Sequence, residues 1–325
     1  MVMKRNMVLL AVVAMSLLGG SIADAQQTYR ISVSQFVEHP ALDAVLSGFQ
    51  DHLKDQQVSA QFTVHNAQAN MAIAGQIAGQ IMGEKPDLIL AIATPTAQAV
   101  AQALRKAPHM QDTPFLFTAI TDPVGAGLVA DLSRPGGNIT GVSDLLPLDQ
   151  HLGMVIGFFP DLRRLGVIYN SGEANSNTTV KGIRNIGSQL DFEVVESTVS
   201  KSSDVYQAAK SLVGRVDAVF IPTDNTVVSA LESAIKVGVD SQLPIFCADV
   251  DSVKRGAIAA MGFDYYAHGR QTGAMAIRIL NGAEPATTPV ETQETLELHI
   301  NQAYAEKMGV TVPEALLRKA NKVYR

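Results

Sequence analysis

Short apolar runs and longer amphipathic runs alternate along most of this chain. Residues 30–36 (RISVSQF) alternate with the period of a strand, and in 41–53 Leu42, Val45, Leu46, Phe49 and Leu53 fall at helical spacing. Residues 60–65 predict a second strand and 71–82 a second helix. The run 88–93 (LILAIA) is apolar throughout, as expected of a strand covered on both faces of a parallel sheet. Residues 96–106 predict a helix and 114–119 another covered strand. Strands and helices alternating at these lengths predict βαβ units and an α/β, doubly wound parallel sheet.

A stretch carrying Gly125, Gly127, Pro135, Gly136 and Gly137 interrupts this pattern. Beyond it, 138–142 predicts a short strand and 151–159 a helix. The alternation then restarts with strand 165–169 (LGVIY), a helix over about 177–190 and strand 192–197. Ser203 and Asp204 predict the N-cap of a helix running to Val213. Strands at 218–221, 244–248 and 257–261, with a helix over 226–237, complete a second α/β half. The remaining residues predict a helix over about 267–280, a strand at 295–300 and a C-terminal helix. They are too few for a third domain, so they are expected to return to the two halves.

The N-terminus changes the expected compartment. Lys4 and Arg5 precede an apolar run over 7–18, and small residues and Ala23-Asp24-Ala25 follow. These are the parts of a cleavable secretory signal at 1–25. The run is too short to span a bilayer, which takes about 20 residues. No Cys lies near the cleavage site, so the expected product is exported and carries no lipid anchor.

Composition narrows the classes further. The chain has 325 residues, 47% hydrophobic and 17% charged, a formal net charge of −6 and one Cys. That length favours two domains with a core each. A single Cys247 excludes an intramolecular disulfide framework, and its place in a predicted strand marks it as an inert core thiol. The acidic balance argues against a nucleic-acid binder, which needs a basic face. The histidines show no HxxxH pairing, and GxSxG, P-loop and HExxH motifs are missing, so neither metal nor cofactor is expected. His39 has no nucleophile placed beside it by sequence, so an enzyme is not expected.

Candidate chemistry sits at the carboxyl ends of the predicted strands, where open α/β sheets bind ligands. The successive runs lead into Glu38, His39 and Pro40, into Thr94, Pro95 and Thr96, and into Thr121 and Asp122. In the second half they lead into Ser171, Glu173, Asn175 and Ser176, into Thr223, Asp224 and Asn225, and into Asp249 and Asp251. Many such residues serve only as helix caps. The carboxylates Glu38, Asp122, Asp144, Asp224, Asp249, Asp251 and Asp264 nevertheless converge on one edge, where they favour a cationic ligand group. Helix N-termini at Pro95-Thr96 and Asn175-Ser176 offer N–H groups to an anion. Together these suit a zwitterion, an amino acid.

Several stretches at these strand ends carry a resemblance: EHPALDAVLSGF (38–49), FTAITDPVGAGLV (117–129), GGNITGVSD (136–144), YNSGEANS (169–176), PTDNTVVSALE (222–232), ADVDSVKRGAIAA (248–260) and GFDYYAHGRQTG (262–273). From about 29 to 310 the chain resembles the periplasmic substrate-binding components of ABC transporters, in particular their tryptophan/tyrosine-binding (TrpX-like) family. The resemblance implies two lobes of the type I periplasmic-binding-protein architecture joined by three crossovers: 28–143 plus about 265–290, and 144–264 plus about 291–325. It implies a periplasmic monomer that holds an aromatic amino acid (Trp, Phe or Tyr) between the lobes and delivers it to an ABC permease in the inner membrane. On this basis Glu38, His39, Pro40, Thr94, Thr96, Thr121 and Asp122 are expected on one cleft wall, and Ser171, Asn175, Ser176, Asp224, Asn225 and Asp249 on the other. Asp249 or Asp224 is expected to take the α-ammonium, and groups near Thr96 and Ser176 the α-carboxylate. Phe36, Phe263 and Tyr265 are candidates to stack on the side chain. The alternatives are the same fold binding a branched-chain amino acid or a nucleoside, or a secreted α/β enzyme.

Overall fold

A computed structural model describes residues 27–145, 147–293 and 295–325; the expected export signal lies outside the described residues. Two sheets organise the chain. The first has six strands in the order β11-β5-β4-β3-β1-β2, all parallel, from β1 (Tyr29–Gln35), β2 (Ala60–Asn66), β3 (Leu88–Ile92), β4 (Phe115–Ile120), β5 (Ile139–Ser143) and β11 (Glu291–Thr292). The second has seven, β13-β12-β10-β9-β8-β6-β7, from β6 (Arg164–Asn170), β7 (Glu193–Val199), β8 (Ala218–Ile221), β9 (Ile245–Cys247), β10 (Ala259–Gly262), β12 (Glu297–Asn301) and β13 (Lys322–Tyr324). Among the described residues only β10 and β12 pair antiparallel.

The apolar runs form the central strands for the expected reason. Every residue of β3 and β4 is buried, since helices cover both faces of the sheet. In the outer strand β2 no residue is buried, and half-buried and exposed residues alternate only over its first four positions. Each sheet has its own apolar core, Phe115, Phe117 and Phe49 in the first, Phe220, Phe246 and Cys247 in the second. Among the described residues, no helix is long and apolar enough to cross a membrane.

The chain passes between the sheets after β5, after β10 and after β11. The second passage leads into the Tyr265–Leu280 helix, which packs along the Pro40–Asp55 helix of the first lobe. Glycines permit that contact. A Cβ on Gly269 would stand 2.0 Å from the Val45 carbonyl oxygen, and one on Gly48 2.1 Å from that of Tyr266. The two backbones therefore touch, and the helices' first turns meet at the cleft.

Candidate functional site

Helices begin just beyond the carboxyl ends of the central strands in both lobes, and these ends face one another. Between them lies a small cavity with about 350 Å³ of empty space, part of it open to solvent. His39, Ala41, Leu42, Ala119 and Thr121 line it from the first lobe, and Asn175, Thr223, Asp224, Asn225, Val228 and Asp249 from the second. Asp144 and Tyr265 complete the wall where the chain passes between the lobes. The lobes touch across the cleft: the Thr121 and Thr223 hydroxyls are 3.3 Å apart, and Thr178 donates to Asp122 at 3.4 Å.

Three of the lining residues are carboxylates, all buried. Asp224 caps the Asn225–Ser229 helix by accepting from Val227 N, and accepts from Asn170 N and Ser176 Oγ, both at 2.6 Å. Burial, and then the Glu173 charge beside it, raise its pKa from 3.8 to about 8. Asp249 accepts from the backbone and hydroxyl of Ser252, and burial raises its pKa. Asp144 caps no helix; it accepts from Thr121 Oγ1 at 3.1 Å and Tyr265 OH at 2.9 Å, and burial raises its pKa too. Behind them Glu173, also buried, accepts from the backbone and side chains of Asn225 and Thr226. Among the described residues, no Lys, Arg or His forms an ion pair with any of these four; Arg255, whose charge reaches Asp249, is paired with Glu232 at 2.7 Å.

Two buried polar atoms on the lining residues have no protein partner: Nε2 of His39 and Oδ1 of Asn175, whose amide nitrogen donates to the Thr223 carbonyl at 2.7 Å. His39 caps the Pro40–Asp55 helix, with Nδ1 accepting from Leu42 N at 3.5 Å. Burial above all, then the Arg255 charge, lower its pKa to about 3 against a weak opposing contact with Asn225, so the ring is neutral at physiological pH.

Of the residues picked out by sequence, His39, Thr121, Asn175, Asp224, Asn225, Asp249 and Tyr265 meet at this cavity. The others stand elsewhere. Phe36 and Phe263 are buried in the cores, because the residue just past each strand still packs beneath its own sheet. Glu38 and Pro40 are exposed, Glu38 on a separate open groove facing Ser202, Ser203 and Ser229. Thr94 is buried at the start of its helix and its hydroxyl has no partner, but it does not line the cavity; the Thr96 hydroxyl is bonded to that of Ser34 and stands outside the lining too. Asp122 caps its own turn through Gly125 N, and Ser171 is an exposed turn residue. Ser176 stands one layer back, its hydroxyl committed to Asp224. The expected convergence of carboxylates reduces to Asp144, Asp224 and Asp249, since Asp264 caps the Tyr265–Leu280 helix and Asp251 lies outside the lining.

The lining also includes residues not singled out for the site by sequence, Ala41, Leu42, Ala119 and Val228, and Thr223, a strand-end candidate without an assigned wall. Asp144 was visible as a strand-end carboxylate without an assigned role. Ala119 owes its place to the backbone. It has φ +54° where the β4–β5 register shifts, and its N–H donates to His268 Nε2 at 3.2 Å. Nothing in the run FLFTAI signals that irregularity.

The model of the family described as ABC transporter substrate-binding protein matches residues 30–324. The chain belongs to this family. A tyrosine-binding protein of Clostridioides difficile (strain R20291) is 39% identical to this binding protein over 283 residues, covering 86% of this chain and 80% of the relative. The structure of an ABC domain from Streptococcus pneumoniae in complex with L-Trp superposes with a TM-score of 0.86 at 33% identity, covering 91% of this chain and 100% of that one. A ligand-free, open structure of a substrate-binding protein with adhesive properties from Clostridium difficile reaches 0.67 at 35% identity, over 91% and 99%. At near-equal identity the chain superposes better on the L-Trp complex than on the ligand-free, open structure. The fold is the type I binding-protein architecture that the family resemblance implied.

Proposed function

We propose that this protein captures an aromatic amino acid, Trp, Tyr or Phe, between its lobes and presents it to an ABC permease, acting as a monomer in the periplasm after cleavage at Ala25. The observation that carries this reading is the interlobe cavity walled by Asp144, Asp224 and Asp249, with no cation paired to them among the described residues. Buried carboxylates of this kind are costly unless a cation joins them. An α-ammonium is such a cation, and Asp224 is its best partner because Glu173 adds a second negative charge beside it. Ala41, Leu42, Ala119 and Val228, with the Tyr265 ring, offer an apolar bed for an aromatic side chain. The names of the tyrosine-binding relative and the L-Trp complex support the aromatic class. Binding favours the closed arrangement that Thr121–Thr223 and Asp122–Thr178 hold together, and the closed form is what a permease would recognise.

Calorimetry on ligand-stripped protein is expected to show one saturable site for Trp, Tyr or Phe, without turnover. Ligand at 100 times Kd should stabilise the fold by about 2.7 kcal/mol, which raises Tm by on the order of 5 °C. Saturable binding of leucine or a nucleoside with none of the aromatics would reassign the ligand class, and turnover would replace the reading with an enzyme.

Binding is also expected to release protons. In the unfolded chain Asp224 ionises near 3.8; in the folded, ligand-free protein it holds its proton up to about pH 8. Its contribution to stability is therefore full below about pH 4 and is lost as pH rises through about 8. An ammonium beside it favours the carboxylate, so at pH 6 binding should expel up to about one proton, fading above pH 8. Titrations in buffers of different ionisation enthalpy measure this number, and an enthalpy independent of buffer at pH 6 would contradict it.

A further inference from the structure

His39 is a buried imidazole with one nitrogen committed and the other unpartnered at the cavity. Its backbone is extended (φ −160°, ψ 158°), Pro40 follows as the first helical residue, and Nδ1 faces the Leu42 N–H as a helix-capping acceptor. A neutral imidazole carries one proton, so accepting at Nδ1 places that proton on Nε2. The Nε2–H is thus a buried donor without a well-formed hydrogen bond, only a weak contact with Asn225 reaching the ring, on a wall otherwise rich in acceptors. Such a donor calls for a partner, and it lies at the N-terminal end of a sixteen-residue helix, whose dipole favours negative charge. The facing lobe holds the opposite chemistry: Asn175 Oδ1 is an unpartnered acceptor, and the Asp224 carboxylate lines the same wall.

We infer that His39 orients the ligand, its Nε2–H donating to the α-carboxylate at the first lobe while the α-ammonium meets Asn175 Oδ1 and Asp224 at the second. This rests on the amino-acid reading above and adds to it the sense in which the zwitterion lies. The two charged ends of one small molecule then engage opposite lobes, so each end contributes to holding the cleft shut. The assignment displaces Thr96 and Ser176, whose hydroxyls are already bonded to Ser34 and Asp224.

The test compares wild-type protein with His39→Asn, using L-tryptophan and L-tryptophanamide at pH 6, where both ligands carry the ammonium group. Asn retains the helix cap but is too short to place a donor where Nε2 stands. Tryptophan affinity should fall about 10- to 100-fold, and the amide's, measured by competition, by less than about threefold. An equal loss for both ligands, or no loss for tryptophan, overturns the inference. The imidazole ¹⁵N signals of the wild type provide a second reading. The His39 proton should sit on Nε2, and that resonance should move when tryptophan is added. A proton on Nδ1, or a resonance that tryptophan leaves unmoved, also overturns it. Wild-type protein that binds none of the three aromatic amino acids would remove the amino-acid reading and this inference with it.

Discussion

Replacing Asp224 by Asn is expected to lower affinity for the aromatic amino acid by a factor on the order of 100 or more, while the protein still folds. The size follows from breaking a buried charge-assisted contact, which costs roughly 2–5 kcal/mol because the ammonium is left unpaired in the closed cleft. Folding should survive because Asn is itself a good cap, so the bond to Val227 N is kept, and the repulsion from Glu173 disappears. Against this, Asn170 N loses its acceptor at 2.6 Å, a loss on the order of 1–3 kcal/mol. Calorimetry with tryptophan and with indole-3-propionate, which has no ammonium, separates the two effects. The expected result is a large loss for tryptophan and a small one for the propionate. Unchanged tryptophan affinity in both Asp224→Asn and Asp249→Asn would show that neither carboxylate holds the ammonium.

The second large effect is expected far from any ligand atom. Gly269→Ala places a methyl group 2.0 Å from the Val45 carbonyl oxygen, on backbone that has no rotamer by which to yield. The Pro40–Asp55 and Tyr265–Leu280 helices must separate, at a cost of about 3 kcal/mol. A Tm lower by on the order of 5–10 °C is expected. Ligand affinity should fall as well, because His39 caps one of these helices and Tyr265 begins the other, and both line the cavity. The control is Gly75→Ala in the Met71–Glu84 helix, where an added Cβ meets nothing within 4 Å. That variant should gain about 0.5–1 kcal/mol from helix propensity alone. Thermal melts of the two variants decide the point, since equal Tm values would show that the helix contact is not tight.

Much of this molecule could be read from its pattern. The runs LILAIA and FLFTAI form the buried centre of the first sheet, and LGVIY, AVFI and IFC that of the second, because a strand covered on both faces has no reason to alternate. The residues following those runs include Thr121, Asn175, Asp224, Asn225 and Asp249 of the cavity wall, and His39 follows the alternating run RISVSQF. The reading was weakest where similar residue types at similar positions do different work. Asp122 and Asp264 cap turns or helices outside the cavity, whereas Asp224 caps a helix and lines the cavity as well. Glu173 was a loop residue in a polar stretch; in the fold it reaches across to the backbone of Asn225 and Thr226, placing a second carboxylate behind Asp224.

The sequence by itself determined the order of the strands and longer helices down to β10, though not β11 or the final β13, the α/β class and the edge at which ligand chemistry gathers. Each of these follows from periodicity or turn chemistry within a few residues of chain. Only the tertiary structure decided which polar atoms are left over once every cap and turn has been satisfied, and which of those atoms face one another. Thr121 and Thr223 meet across the cleft although they are 102 residues apart, and His39 Nε2 and Asn175 Oδ1 share a cavity with partners from neither local segment. Burial and hydrogen-bond satisfaction depend on how two separately cored lobes dock, and no local pattern encodes that.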